Sequence, residues 1–326
     1  MIRSRLKIAA AALLACGACV TTCAAAAEYP DRPIRYIVPS AAGGGADISA
    51  RLLTAELAAQ LGQQFVIDNR PSSGGLIGMQ LLTKSRSDGY TLGYGNMVYL
   101  AINPTLVPNL PYDVNRDLTL IGQFTTGQNL LAVRQTLPVK SVPELIAYAR
   151  NNPDKLSFGS SGNGTTLHLS GELFKQMTGT RMVHVPYKAV GQALTELMSG
   201  QLDLIFDNQS SIAPHISAGR LRGLAVTGPS RSAVFPDLPT MSEAGVTGYG
   251  ITTWTAMIAP AGLSKAIVTK LNAGIQRACT AQPLQAKLAT QGATCATGSP
   301  EQFVQFVKKE QVKWGDIVKK SGAKID

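Results

Sequence analysis

The chain has 326 residues, of which 45% are hydrophobic and 15% charged, with a formal net charge of +10. This length and apolar content supply the core of two domains, or of one large one, and exclude a disordered chain. The basic residues are scattered singly, with Lys308-Lys309 and Lys319-Lys320 as the only adjacent pairs and no basic stripe with interleaved aromatics. That distribution argues against a nucleic-acid partner and for the steering of small anions.

The first segment reads as an address. Arg3, Arg5 and Lys7 precede a short apolar stretch over 8–15, and Ala24-Ala25-Ala26-Ala27 offers small-residue cleavage just before Glu28. Residues 1–27 are therefore expected to be a secretory signal peptide, and the rest a periplasmic chain of charge +7 (10 − 3). The apolar stretch is well short of the ~20 residues needed to span a bilayer. Leu13-Leu14-Ala15-Cys16 loosely resembles a lipobox, but the short apolar core before it leaves lipid anchoring at Cys16 a minor alternative. Of five cysteines, Cys16, Cys19 and Cys23 leave with the signal. Cys279 and Cys295 remain, an even pair in an oxidising compartment, so a disulfide between them is expected. Their spacing matches neither C-x-x-C nor a zinc pattern.

Residues 34–39 read as an apolar strand, followed at once by Ser40-Ala41-Ala42-Gly43-Gly44-Gly45-Ala46-Asp47. Asp47 is a good N-cap for a helix in which Ile48, Leu52, Leu53, Leu57 and Leu61 recur at helical spacing before Gly62. Strands are predicted at 65–67, 90–94, 156–160, 182–187, 202–206 and 220–227. Helices are predicted at 165–177, entered through Ser161-Gly162-Asn163-Gly164, and at 192–198, ended by Gly200. The last 26 residues form another, with Phe303, Phe306, Val307, Trp314, Ile317 and Val318 on one face. Strands alternating with amphipathic helices predict α/β architecture with open, largely parallel sheets. No linker separates two halves, so the chain is expected to cross between lobes more than once.

Both glycine-rich loops run from the carboxyl end of a strand to the start of a helix, where ligands bind in open α/β sheets. Unpaired N–H groups of the first helical turn point outward there, the helix dipole adds positive potential, and glycines admit an anion close to the backbone. Nucleotide readings fail on spacing. Ile48 stands where G-x-G-x-x-G needs its last glycine, and no G-K-[ST] follows either loop. Catalysis lacks its parts as well. Neither Ser160 nor Ser161 satisfies G-x-S-x-G, and His168, His184 and His215 have no metal-ligand spacing. No catalytic residue, metal or cofactor is expected, and Asp207 at a strand end reads as a binding or capping carboxylate.

A family resemblance then emerges from many segments in order. They are residues 39–47, the Phe158-Gly159-Ser160-Ser161-Gly162-Asn163-Gly164 loop with His168-Leu169-Ser170-Gly171-Glu172, and His184-Val185-Pro186-Tyr187-Lys188. Phe206-Asp207, Ala218-Gly219-Arg220-Leu221-Arg222 with Leu224-Ala225-Val226-Thr227, Pro236-Asp237-Leu238-Pro239-Thr240, and Ala259-Pro260-Ala261-Gly262 follow. Lys313-Trp314 and Val318-Lys319-Lys320 close the series. Together they resemble the Bug (TctC-like) receptors of tripartite tricarboxylate transporters, over essentially the whole chain after the leader.

The resemblance implies a two-lobed periplasmic-binding fold, each lobe a central sheet flanked by helices, with the cleft between them. Lobe 1 would hold 28–128 and 250–326, and lobe 2 would hold 129–249. It implies a small organic carboxylate as ligand and inner-membrane transporter subunits as partners, and the receptor is expected to be a monomer. The carboxylate would be held by backbone N–H groups, hydroxyls and ordered water, not by a dedicated arginine. Carried over, the pocket comprises Ser40, Ala41, Ala42, Gly43, Gly44, Gly45 and Asp47, then Ser160, Ser161, Gly164 and Thr165. Val190, Gly191, Asp207 and Asn208 would face them from the second lobe, and Asn96 is a further candidate. Three positions depart from the pattern, which has an aromatic residue at Ser40, Gly at Ala189 and Pro at Gln192. A sensor that shows its acid to a signalling protein is the main rival reading. A secreted hydrolase using Ser160 or Ser161 is another, and would need a base beside the serine.

Overall fold

A computed structural model describes residues 29–324. The expected signal segment 1–27, its cleavage point and Cys16 lie outside the described residues.

β1 (Ile34–Val38) runs through the first glycine loop into α1 (Gly45–Leu61), which Gly62 ends in the left-handed conformation. β2 (Phe65–Asn69), α2 (Leu76–Thr83) and β3 (Thr91–Asn96) follow, and β1 lies between β2 and β3 in parallel register. A short π-helical turn, Val98–Ile102, and a helical turn, Asn103–Leu106, lead on to the long strand β4 (Leu118–Arg134). The second half contains α3 (Val142–Asn151), β5 (Ser157–Ser160), α4 (Thr166–Thr178), β6 (Val183–Pro186) and α5 (Val190–Ser199). β7 (Leu204–Asn208), α6 (Gln209–Ser217) and β8 (Leu221–Val226) complete it. The chain returns along β9 (Thr252–Pro260), then α7 (Lys265–Ala278), α8 (Gln282–Thr290), β10 (Ala293–Cys295) and α9 (Pro300–Ser321).

β4 joins the two halves. Its first part pairs with β9 as far as Gln128 opposite Thr252, and from Asn129 onward it pairs with β7 and β8. β10 also lies along it, with Ala293 opposite Gly127 and Cys295 opposite Thr125. All four pairings are antiparallel, so the sheets are less parallel than alternation predicts. For β9 the reason is the crossing itself, since β4 carries the chain across and β9 brings it back.

The last helix packs against both halves. Ser299 and Gln302 form a capping box at its start, and it packs on both the Val98–Ile102 turn and α4. Trp254 and Trp314 are fully buried, and both indole N–H groups donate to Glu310 Oε2, at 2.9 and 3.0 Å. Burying a large apolar side chain of this kind contributes about 1.5–3 kcal/mol, and the paired carboxylate leaves neither indole N–H unsatisfied. Cys279, just past α7, is bonded to Cys295 of β10 with 5.6 Å between Cα atoms. Among the described residues no helix is long and apolar enough to cross a membrane.

Candidate functional site

A cavity of about 350 Å³ lies where the halves meet. Three helices present their amino-terminal residues to it, α1 through Gly45 and Ala46, α4 through Thr165 and Thr166, and α6 through Asn208 and Gln209. No lining residue is charged. Its floor comes from β4 and β9, including Thr125, Gln128 and Trp254. Ser49, one turn along α1 from Gly45, also lines it, and its buried Oγ has no hydrogen-bonding partner. Free N–H groups and aligned dipoles without a fixed cation suit a small anion.

A second cavity, about 340 Å³, sits beside Ser40 and is bounded by Ser72, Gly74, Tyr99, Asn103 and Gly164. The two share Val98 from the first half and Thr165 from the second.

The expected pocket residues divide between these spaces and the layer behind them. Gly45, Asn96, Ser161, Thr165 and Asn208 line the first cavity, and Ser40, Ala41, Gly164 and again Thr165 line the second. Ala42, Gly43 and Gly44 form an exposed turn outside both; Val190, partly buried against a hydrophobic cluster, and the exposed Gly191 begin α5 and also line neither. Asp47, Ser160 and Asp207 are buried and line neither.

Asp47 is not the helix cap that its position suggests. Gly44 is the N-cap, and Asp47 sits in the first turn with its carboxylate folded back on the loop. It accepts from Gly43 N–H at 2.9 Å, Arg51 Nε at 2.9 Å and Asn69 Nδ2 at 3.1 Å, and Asn69 also donates to the Ser40 carbonyl. The hydrogen bond from Arg51 is the largest influence holding this carboxyl below its ordinary range. Asp47 thus braces the turn from behind.

The second loop is braced by histidines. Gly164 N–H donates to His168 Nδ1 at 3.1 Å, Ser160 Oγ lies 2.7 Å from His184 Nε2, and the two imidazoles stack at 3.9 Å. Burial, more than any neighbouring charge, lowers His168 to about 4 and His184 to about 3. The Ser160–His184 contact is the base beside a serine that hydrolysis would need, but its chemistry is wrong for that role. Ser160 is 0% exposed, and an imidazole held near 3 is a poor general base at neutral pH. Asp207 accepts from Asn208 N–H at 2.7 Å and from the Ser211 hydroxyl, and burial raises it to about 6.

Sequence reasoning missed Ser49, Thr125, Gln128 and Gln209. Ser49 was within reach, because it lies four residues after Gly45 on one helix face. Thr125 and Gln128 carry no local signal, and only the strand register brings them to the cavity.

Fold and cavity together define a two-lobed α/β solute-binding protein. Residues 49–323 match the family described as tripartite tricarboxylate transporter family receptor, and the chain belongs to that family. Protein BugT of Bordetella pertussis (strain Tohama I) is 35% identical over 298 residues, covering 91% of each chain. The structure of R. palustris Rpa4515 with adipate is 38% identical, with a TM-score of 0.82 over 91% of this chain and 99% of that one. MatC of Rhodopseudomonas palustris with bound malate is 31% identical, with a TM-score of 0.78 over 89% and 100%.

Proposed function

We propose that this protein is a periplasmic receptor that captures a small organic carboxylate and delivers it to the membrane subunits of a tripartite tricarboxylate transporter. The observation that carries this reading is the uncharged cavity ringed by the amino termini of α1, α4 and α6. Adipate and malate on related structures support a carboxylate as the ligand class. The lobes are 28–128 with 250–326, and 129–249, and they close by flexing where β4 changes partners at Gln128 and Asn129.

In the closed state the carboxylate takes N–H groups from the first turns of α1 and α4, with Asn96, Ser161, Thr165 and Asn208 as side-chain contacts. Asp47, Ser160 and Asp207 act behind them by holding the loops in shape. Residues 1–27 direct export and are removed.

A thermal-shift screen of the purified protein against a panel of organic acids tests this reading. A cognate acid at a hundredfold its Kd is expected to add about 2.7 kcal/mol of stability. A panel of mono-, di- and tricarboxylates that leaves the melting temperature unmoved would sink the proposal. So would loss of all binding on a single Arg→Ala change.

A further inference from the structure

A third cavity, of about 460 Å³, adjoins the first and bears on which acid is taken. It lies between residues 229–234 of one lobe and the end of α8 with β10 of the other. Pro229, Ala233, Val234, Ala289 and Ala293 make its surface largely apolar, and Val234 is 46% exposed. Arg231 is its one charged lining residue and is engaged elsewhere, with Nε donating to Glu243 at 3.0 Å and Nη1 to the Pro236 carbonyl at 3.2 Å. An open apolar recess of this kind suits an apolar group of a ligand. Gly127, Gln128, Gln209, Gly292 and Ala293 line both the first cavity and the third, so one layer of residues separates them. Where the lobes meet in this layer, the Gln209 side chain lies against Gly292, and a Cβ there would come 2.4 Å from Gln209 Nε2. The Gln209 amide oxygen is tied within its own lobe, accepting from the Ser232 hydroxyl at 2.7 Å. Gln209 and Gly292 therefore part, when the lobes open, without loss of a hydrogen bond between them.

Resting on the receptor reading above, we propose that the cognate ligand is a carboxylate with an apolar arm. Its carboxylate occupies the first cavity among the helix amino termini, and its arm runs past Gln209 and Gly292 into the third. The arm is laid across while the lobes are apart, and closure clasps it between residues 229–234 and β10, in the place of the Gln209 side chain against Gly292. Each methylene that it buries raises affinity roughly fourfold. A second carboxylate at the end of the arm would be stripped of water beside apolar side chains, with Arg231 already paired. A compact acid would fill the first cavity alone and forgo the third.

Isothermal titration of the purified protein tests the assignment, with linear monocarboxylates of about five to twelve carbons, each with and without a terminal phenyl group, and with adipate and malate as compact acids. The best long or phenyl-bearing acid is expected to bind at least tenfold more tightly than pentanoate, adipate or malate. Ala289→Trp and Val234→Trp fill the third cavity from exposed positions that line neither of the other two. Each is expected to weaken the best acid at least tenfold and to leave the compact acids within twofold. Compact acids that bind as tightly as the best long one overturn the ligand class and leave the carboxylate receptor standing. So do tryptophan variants, folded by their thermal melts, that spare the best acid or weaken long and compact acids alike. Absence of binding by every acid overturns both.

Discussion

A Cβ on Gly164 would lie 2.0 Å from Leu106 Cδ2, and its φ of +74° is a conformation that L side chains rarely adopt. Gly164 therefore lets the second loop approach the first half, and its N–H reaches His168 only in this shape. Gly44 looks equivalent in sequence but is not, because its φ is −79° and an added Cβ would meet nothing nearer than Ala41 O at 3.5 Å. Gly164→Val is expected to cost about 1–3 kcal/mol of stability and to weaken acid binding at least tenfold. Gly44→Val should bind within threefold of the unaltered protein. Titration calorimetry and thermal melts of the two variants decide it, and equal losses from both would contradict this account of the loops. At this scale the two loops singled out in the sequence border the cavities, but the roles of the residues within them were not all legible. Asp47 was visible as a carboxylate beside a helix start, whereas its partner Asn69 comes from another strand and no local pattern announces it.

The elements that carry the second loop are coupled to pH. His168 and His184 are lowered by burial to about 4 and about 3, from an ordinary 6.5. Between pH 6.5 and 4 the unfolded chain binds protons at these two sites that the folded chain does not, so stability falls as pH falls. Asp207 opposes them, since its folded value is raised to about 6 from 3.8 and the folded state holds its proton more tightly. Two histidines outweigh one aspartate, and the net effect is a loss of stability toward acid. Chemical denaturation at pH 6.5 and 4.5 should show that loss. It should be smaller in His184→Gln and larger in Asp207→Asn, and the opposite ordering would refute the assignment. The short strands were the more legible elements, with β1, β2, β3, β5, β6, β7 and β8 marked as apolar runs between turn residues, whereas α2, α3, α6, α7 and α8 were not anticipated. The antiparallel pairings of β4 were not legible, because Thr125 meets Thr255 and Cys295 only after the chain has crossed and returned. The Cys279–Cys295 bond was legible from cysteine number and expected compartment, without geometry.

On the scale of the molecule, net charge and site charge point in different directions. The chain carries +10, or +7 (10 − 3) over residues 28–326, yet nothing charged lines the cavity. A positive field that is spread over the surface and absent from the site acts on the approach of an anion and little on its retention. Surface fields are screened over about 10 Å at 0.1 M salt, whereas N–H contacts within a closed cleft are sheltered from salt. Trp254 lines the cavity, so its fluorescence is a built-in reporter of binding. Stopped-flow measurements with a bound acid should therefore show an association rate that falls as ionic strength rises from about 20 to 200 mM. The dissociation rate should change less than twofold over the same range. A salt dependence carried mainly by dissociation would mean that a charged side chain grips the ligand directly, and that backbone N–H groups are not the anion's principal partners.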